Sequence, residues 1–281
     1  MAYTCFDVSV ENQIAHIVMK RPEKRNSMIP EFWDELPAII ADLDDFVQAR
    51  VIVISSSGPH FTSVMDVSSF GDGHLDAADA RAQMQHGARF YNSVRRLQKS
   101  FSCLEECRLP VLAAVQGGCI GGGIDLVTAC DMRYATEDAF FTIFETNIGM
   151  TADVGTFPRI AKLIPEGIAR ELAYTGRRMP AAEAQSVGLV NRMYPDQESM
   201  LDGVMSIAAE IASKAPLATY GNKRMMTYAR DHNTADGLDY IAIWNASMLQ
   251  VGEIREAMAA NREKRPGNFT ELPVNKRKRS E

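Results

Sequence analysis

The chain has 281 residues, of which 46% are hydrophobic and 23% are charged, and its formal net charge is −6 at neutral pH. These proportions are typical of a globular protein with a sizeable core, and they exclude disordered and collagen-like classes. The acidic balance argues against general nucleic-acid binding. No apolar run approaches the roughly 20 residues that a membrane-spanning helix needs, so no membrane association is expected.

The cysteine pattern bears on the compartment and on metal binding. The five cysteines are scattered along the chain, at Cys5, Cys103, Cys107, Cys119 and Cys130, and an odd number cannot form a complete set of disulfides. Cys103 and Cys107 lie one helical turn apart but lack the companion ligands of a zinc motif, so no metal site is predicted. The first 20 residues lack the features of a secretory signal, and the predicted location is cytoplasmic.

Alternating strands and helices are predicted in the first half of the chain. A strand at Ile14–Met19 precedes a helix that begins at Pro30 and carries apolar residues at helical spacing as far as Val47. Buried strands are predicted at Val51–Ser55 and Pro110–Val115, each followed by a loop and a helix. This order is typical of βα units around a partly parallel sheet, and it predicts an α/β fold.

Two loops of this half carry polar groups. The basic loop Lys20–Asn26 is either a solvated turn or an electrostatic contact for an anionic ligand. After the second strand, Phe61–Asp66 leads into the polar segment Gly71–Asp79, which is predicted to form a loop.

A glycine run connects the strand that ends at Val115 to a helix predicted at Ile124–Cys130. Five of the seven residues from Gly117 to Gly123 are glycine. Backbone N–H groups at a helix start can bind an oxygen that carries or develops negative charge, although a tight turn with close packing is the alternative. No Gly-Lys-Ser/Thr follows and the dinucleotide fingerprint is absent, so phosphate binding is not favoured. Three acids come next, each in an apolar or glycine-rich setting: Asp125, Glu145 and Asp153.

The second half predicts mainly helices. Helices are expected at Pro165–Thr175, Ala181–Val187, Leu201–Ser213, Ala215–Arg230 and Ala235–Arg262. A short strand is expected at Val190–Tyr194. The last of these helices carries an apolar stripe that is typical of a core or a subunit interface: Leu238, Ile241, Trp244, Met248 and Val251. The charged tail Asn275–Glu281 is predicted to be disordered.

Motifs along nearly the whole chain resemble the crotonase (enoyl-CoA hydratase/isomerase) superfamily, and most of all its dienoyl-CoA isomerase branch. They are Arg21–Met28, Phe61–Ser63, Gly117–Leu126, Ala152–Thr156 and Asp239–Gln250. The resemblance implies a ββα spiral core over residues 1–195 that holds an acyl-CoA site. It also implies a helical region over residues 196–281 that covers the site and forms a homotrimer or a dimer of trimers. Coenzyme A would enter as part of the thioester substrate, without a separate cofactor.

The resemblance also implies which residues bind the substrate. The backbone N–H groups of Ser63 and Gly122 would form an oxyanion hole, where each donor contributes about 3–4 kcal/mol by analogy with other such sites. The other substrate contacts implied are Lys24, Arg25, Val64, Met65 and Asp66. The family usually has glycine at the position of Val64, so a Cβ here lies beside the thioester site.

The three acids would then carry the chemistry. The resemblance implies that Glu145 and Asp153 transfer protons at the two ends of a conjugated system, with Asp125 as a nearby polar partner. Such a shuttle needs one carboxylate ionised and one protonated, which burial and mutual repulsion can arrange. Similar hydratases have glutamates at the positions of Asp125 and Glu145.

The reaction implied is the conversion of 3,5-dienoyl-CoA into 2,4-dienoyl-CoA in fatty acid β-oxidation. One alternative is hydration or 3,2-enoyl isomerisation by the same superfamily. Another, of a different class, is a noncatalytic acyl-CoA-binding or RNA-binding homologue; the acids argue against a merely binding role and the net charge argues against RNA.

Overall fold

The computed structural model describes residues 3–63 and 80–275. The predictions for Val64, Met65 and Asp66, for the polar loop 71–79 and for the tail 276–281 lie outside the described residues. Within the described ranges, no helix is both long and apolar enough to cross a bilayer.

Strands in the described part of the chain form two sheets. In chain order they are β1 (Phe6–Glu11), β2 (Ile14–Met19), β3 (Val51–Ser56), β4 (Val111–Val115), β5 (Gly118–Ile120), β6 (Met132–Thr136), β7 (Phe140–Thr142), β8 (Met179–Pro180) and β9 (Arg192–Tyr194). The larger sheet has the order β1-β2-β3-β4-β6-β9. Its first pair is an antiparallel hairpin, turned by Asn12 and Gln13 at positive φ, and the other pairs are parallel.

The smaller sheet has the order β5-β7-β8 and lies where the glycine run was predicted to turn. β5 pairs with β7 in parallel, and Thr62 forms an isolated bridge to Cys119 of β5. This bridge brings the Phe61–Ser63 segment to the glycine run, as expected if the two loops share one site.

Helices follow the strands in the described residues: α1 (Pro30–Asp45), α2 (Ala80–Glu106), α3 (Gly122–Ala129), α4 (Thr156–Ile160), α5 (Glu166–Thr175), α6 (Ala181–Ser186), α7 (Gln197–Ala212), α8 (Pro216–Asp231), α9 (Thr234–Met248) and α10 (Val251–Glu263). The parallel strands and the helices confirm the α/β class. The sequence patterns do not predict β1, β5, β6, β7 or β8. β5, β7 and β8 have two or three residues each, which are too few to show a periodicity, whereas β1 and β6, with six and five residues, were missed despite their length.

Both faces of the larger sheet are buried at its inner strands β3 and β4. On one face, Ile52 and Ile54 of β3 join a core that includes the ring cluster of Phe6, Phe32, Trp33 and Phe101. On the other face, the alternate residues Val51 and Val53 pack with α7. Covering on both faces explains why β3 is buried along its whole length. Because α7 lies beyond residue 195, apolar packing crosses the predicted domain boundary, and the division itself stays a prediction.

The C-terminal helices differ from the prediction in one respect. The single helix expected over Ala235–Arg262 is two helices, α9 and α10, because Leu249 leaves the helical conformation. α9 has no buried residue, and its apolar side chains Leu238, Ile241 and Met248 are exposed in the single chain. Such a face is typical of an interaction surface. The predicted oligomer is not tested by a single chain and stays a prediction.

Candidate active site

The glycine run is both a helix start and a close-packed turn. Gly121 has a φ of 56°, and α3 begins at the next residue. A Cβ on Gly122 would lie 2.8 Å from Sδ of Met28, and one on Gly123 would lie 2.6 Å from Cγ2 of Thr62. Larger residues are therefore excluded by packing. The N–H of Gly122 lies in the first turn of α3, where N–H groups have no acceptor within the helix.

The other predicted oxyanion donor is engaged in this structure. The N–H of Ser63 donates to the carbonyl oxygen of Arg25 at 2.9 Å. The buried Asn26 ties the same two segments together, since its amide donates to the carbonyl oxygens of Ser57 at 2.9 Å and His60 at 3.1 Å. The structure therefore brings the basic loop and the Ser63 segment together, with the N–H of Ser63 turned to the loop.

Lys24 and Arg25 are exposed on this loop, whereas Asn26 is 3% exposed. Asn26 organises the loop, and sequence analysis did not single it out. The sequence gives only a weak indication of this role. Asparagine tolerates the left-handed backbone better than most residues, and the φ of Asn26 is 52°.

Asp125 is the most buried of the three acids, at 1% exposure. It lies in the first turn of α3, and its Oδ1 accepts the backbone N–H of Thr156 at 2.6 Å. The pKa of Asp125 is raised to about 7, first by burial and then by the negative charge of Glu145, although the bond from Thr156 and the charge of Arg159 lower it. The carboxyl group is therefore placed to change charge near neutral pH.

Glu145 and Asp153 are less buried and interact with each other. Glu145 begins a 3-10 turn, Glu145–Ile148, and its Oε2 is buried without a hydrogen-bond partner among the described residues. Burial is the main cause that raises the pKa of Glu145, and the charge of Asp153 adds to it. Burial also raises the pKa of Asp153. Gln98 of α2 donates to the carbonyl oxygen of Asp153 at 2.7 Å and holds this segment.

The three acids thus form a chain of electrostatic contacts, from Asp125 to Glu145 to Asp153. Carboxyl groups whose pKa values lie above the usual range can take up and release protons near neutral pH. Over the described residues, no group of three His, Cys, Asp or Glu side chains is arranged to hold a metal ion.

A large groove lies beside this region, and Gln98, which holds the Asp153 segment, is among its lining residues. It has a volume of about 1080 Å³ and runs between α1 and α2, with Trp33, Pro37 and Lys99 among its lining residues. None of the predicted site residues within the described ranges lines it. Its size therefore does not make it the candidate active site, which is defined by the acids and the start of α3.

Two charged residues near the acids were missed by the sequence analysis. Arg159 of α4 donates from Nε and Nη2 to Oε2 of Glu105 at 2.8 and 2.6 Å. Glu105 lies on α2, 54 positions earlier in the chain. No local motif connects such distant residues, so only the folded chain reveals the pair.

The fold and the acid cluster define a member of a known enzyme family. Residues 9–272 match the family model described as Enoyl-CoA hydratase/isomerase, and the chain belongs to this family. It resembles the crystal structure of an enoyl-CoA hydratase from Bacillus anthracis with a TM-score of 0.83 and 26% identity, over 95% of this chain and 99% of that one. The match confirms the predicted crotonase-like fold.

Relatives with assigned names point to one branch of the family. A Pongo abelii protein named Delta(3,5)-Delta(2,4)-dienoyl-CoA isomerase, mitochondrial, is 41% identical over 94% of this chain and 81% of its own length. An Arabidopsis thaliana protein with the same enzyme name, but peroxisomal, is 35% identical over 94% of this chain and 95% of its own length. The chain is therefore an enzyme of this family, and the matches support an isomerase within it.

These names also correct one prediction. The cytoplasmic location expected from the sequence is wrong by this comparison, because the named relatives are mitochondrial or peroxisomal. The five free thiols fit any reducing compartment, so they could not distinguish a mitochondrial or peroxisomal location from a cytoplasmic one. The net charge could not distinguish them either.

Proposed function

We propose that the protein is a dienoyl-CoA isomerase that converts 3,5-dienoyl-CoA into 2,4-dienoyl-CoA, as part of fatty acid β-oxidation. The observation that carries the proposal is the cluster of Asp125, Glu145 and Asp153, in which burial raises each pKa and Oε2 of Glu145 has no partner among the described residues. The names of the relatives support the same reaction.

The reaction needs two proton-transfer groups and no electron acceptor. The double bonds move from C3=C4 and C5=C6 to C2=C3 and C4=C5, so C2 loses a proton and C6 gains one. One carboxylate accepts the first proton, and a carboxylic acid donates the second. Glu145 and Asp153 take these two roles in the proposal. Coenzyme A enters as part of the substrate, and the chemistry needs no further cofactor.

The two acids must also recover their starting state. After one turnover the acceptor has gained a proton and the donor has lost one, so a proton must pass back between them before the next cycle. The electrostatic contact of Asp153 with Glu145 supports such an exchange, because two neighbouring acids that interact titrate as a coupled pair.

Loss of the C2 proton places negative charge on the thioester oxygen. The N–H of Gly122, at the positive end of α3, is one proposed donor to this oxygen. Ser63 is the second, and its N–H would have to exchange the carbonyl oxygen of Arg25 for the thioester oxygen. Because Lys24 and Arg25 are exposed on that loop, they are proposed to contact the phosphate groups of coenzyme A.

Two further parts of the proposal concern surfaces. Val64, Met65 and Asp66 are proposed substrate contacts that follow Ser63 in the chain. The exposed apolar face of α9 supports a homotrimer or a dimer of trimers in which the C-terminal helices are covered.

The test is turnover of purified protein with 3,5-dienoyl-CoA, followed by the absorbance of the conjugated 2,4-dienoyl product. Proton-transfer groups contribute about 10²–10⁴-fold, so Glu145→Gln and Asp153→Asn should each lower kcat by that factor. Glu137→Gln, at an exposed acid after β6, is the matched control and should leave kcat unchanged.

Other results would contradict the proposal. Normal turnover by either acid variant would remove that acid from the mechanism. If the unmodified protein instead adds water to 2-enoyl-CoA as fast as it isomerises the diene, the protein is a hydratase of the same family.

A further inference from the structure

The guanidinium of Arg159 lies against the segment that carries Asp153. Arg159 is near the end of the short helix α4, and only 9% of its side chain is exposed. It folds back over Gly155, which precedes the helix and has a φ of 137°; a Cβ on Gly155 would collide with Nη1 of Arg159. The positive charge is therefore packed on the backbone between Asp153 and Thr156.

Arg159 shares its anionic partner Glu105 with a second arginine, Arg230, which also lies 3.7 Å from Asp231. Glu105 of α2 accepts Nε and Nη2 of Arg159 on Oε2, and it accepts Nη1 of Arg230 from α8 on Oε1 at 2.5 Å. One carboxylate thus faces two guanidinium groups. Ser102 adds a neutral contact at 3.1 Å to Nη2, and Nη1 of Arg159 has no hydrogen-bond partner among the described residues. A buried cation of this kind is costly unless other anions compensate it.

The charge of Arg159 also acts on Asp125 of the acid cluster, at longer range than its ion pair with Glu105. Asp125 is bonded to the N–H of Thr156, at the start of the helix that carries Arg159. The groups that act electrostatically with Asp125 are Glu145 from the 3-10 turn, Cys119 from β5, and Arg159 from α4. Among the charged groups that act on its pKa, Arg159 is the cation, and it opposes the effects of burial and of Glu145. Asp125 is therefore ionised at a lower pH than burial alone would allow.

We propose that Arg159 is a positioning residue, which fixes the Asp153–Thr156 segment against Asp125 and supplies the positive charge that keeps the acid cluster partly ionised. Glu105 orients the guanidinium and sets how much of its charge reaches the cluster. Through Glu105, Arg230 connects this arrangement to α8. The role in turnover rests on the proposed isomerase function, whereas the effect on Asp125 does not.

The first measurement is the pKa of Asp125, by NMR titration of protein labelled with ¹³C at aspartate carboxyl groups, with the signal assigned by its loss in Asp125→Asn. Arg159→Met removes the charge and should raise the pKa of Asp125, because the cation that opposes burial and the charge of Glu145 is gone. Arg159→Lys keeps the positive charge but lacks the planar guanidinium group, so the pKa of Asp125 in this variant should stay close to that in the wild type. The control is Arg170→Met, an exposed arginine on α5 that pairs with Glu166.

Glu105→Gln gives a test of opposite sign. The amide can still accept the bonds from Arg159, but the negative charge that offsets the two guanidinium groups is gone. The pKa of Asp125 should therefore fall. If Arg159→Met fails to fold, Glu105→Gln and Arg159→Lys still decide the proposal.

The second measurement is turnover of 3,5-dienoyl-CoA. A misplaced acid segment should lower kcat of Arg159→Met by about 10- to 100-fold with little change in KM. An Asp125 pKa that is equal in the wild type, Arg159→Met and Glu105→Gln would overturn the charge role. A variant with lower thermal stability but unchanged pKa and kcat would show a merely structural arginine. If the wild type does not isomerise the diene, the proposed function fails, and the titration still tests Arg159.

Discussion

Replacing Asp125 by asparagine should make the protein more stable at pH 8 and leave its stability nearly unchanged at pH 4. The pKa of Asp125 rises from 3.8 to about 7 on folding, mainly because the carboxyl group is buried. A rise of about 3 corresponds to about 4 kcal/mol in the free energy of unfolding. Because the folded-state pKa is the higher one, this contribution is complete below pH 4 and is lost as the pH rises to 7.

Asparagine at position 125 keeps an oxygen that can accept the N–H of Thr156, but it cannot ionise. The difference in unfolding free energy between Asp125→Asn and the wild type should therefore grow from near zero at pH 4 to about 4 kcal/mol at pH 8. Urea unfolding at fixed protein concentration, followed by the fluorescence of the buried Trp33, measures it. The matched control is Asp202→Asn at an exposed position of α7.

The reasoning would be refuted by a stability difference that does not change with pH. It would equally be refuted if Asp125→Asn were less stable than the wild type at pH 8, since the bond to Thr156 would then outweigh the cost of the buried charge.

Three further predictions concern the loop, the acid segment and the competing reaction. The double variant Lys24→Ala, Arg25→Ala should raise KM more than it lowers kcat, because a contact to the remote part of the substrate stabilises the bound substrate and the transition state equally. An unchanged KM at low ionic strength would show that the loop is a solvated turn. Gly155→Ala should destabilise the protein by about 1–3 kcal/mol in thermal unfolding, because a φ of 137° disfavours a side chain and the guanidinium of Arg159 occupies the space. The control Gly167→Ala, on the exposed side of α5, should be neutral or stabilising. Asp125→Glu should raise the ratio of 2-enoyl-CoA hydration to diene isomerisation, because a longer acid reaches a water beside the β-carbon better. If parallel assays of the two reactions give an unchanged ratio, the length of the acid is not what excludes water.

Local patterns were sufficient for the longer elements of the core. The strand Ile14–Met19 and the start of α1 at Pro30 have the predicted bounds, because alternating burial and a proline at the first helical position are readable within a few residues. The helix after the glycine run begins at Gly122, two residues before the predicted start at Ile124. The prediction of one continuous helix near the C-terminus was wrong. The apolar stripe continues through this region, but Leu249 has an extended backbone that ends α9.

Residue types at short spacing were thus enough to indicate the class of fold and the family, and the resemblance to that family named the three acids as candidates. How those acids are held depends on contacts between distant parts of the folded chain. Thr156 reaches Asp125 across 31 positions, and Glu105 reaches Arg159 across 54. The engagement of Ser63 with Arg25 likewise joins two loops. Contacts of this kind, and the pKa values that depend on them, arise from burial and charge in the packed protein, and no local pattern records which distant groups will meet.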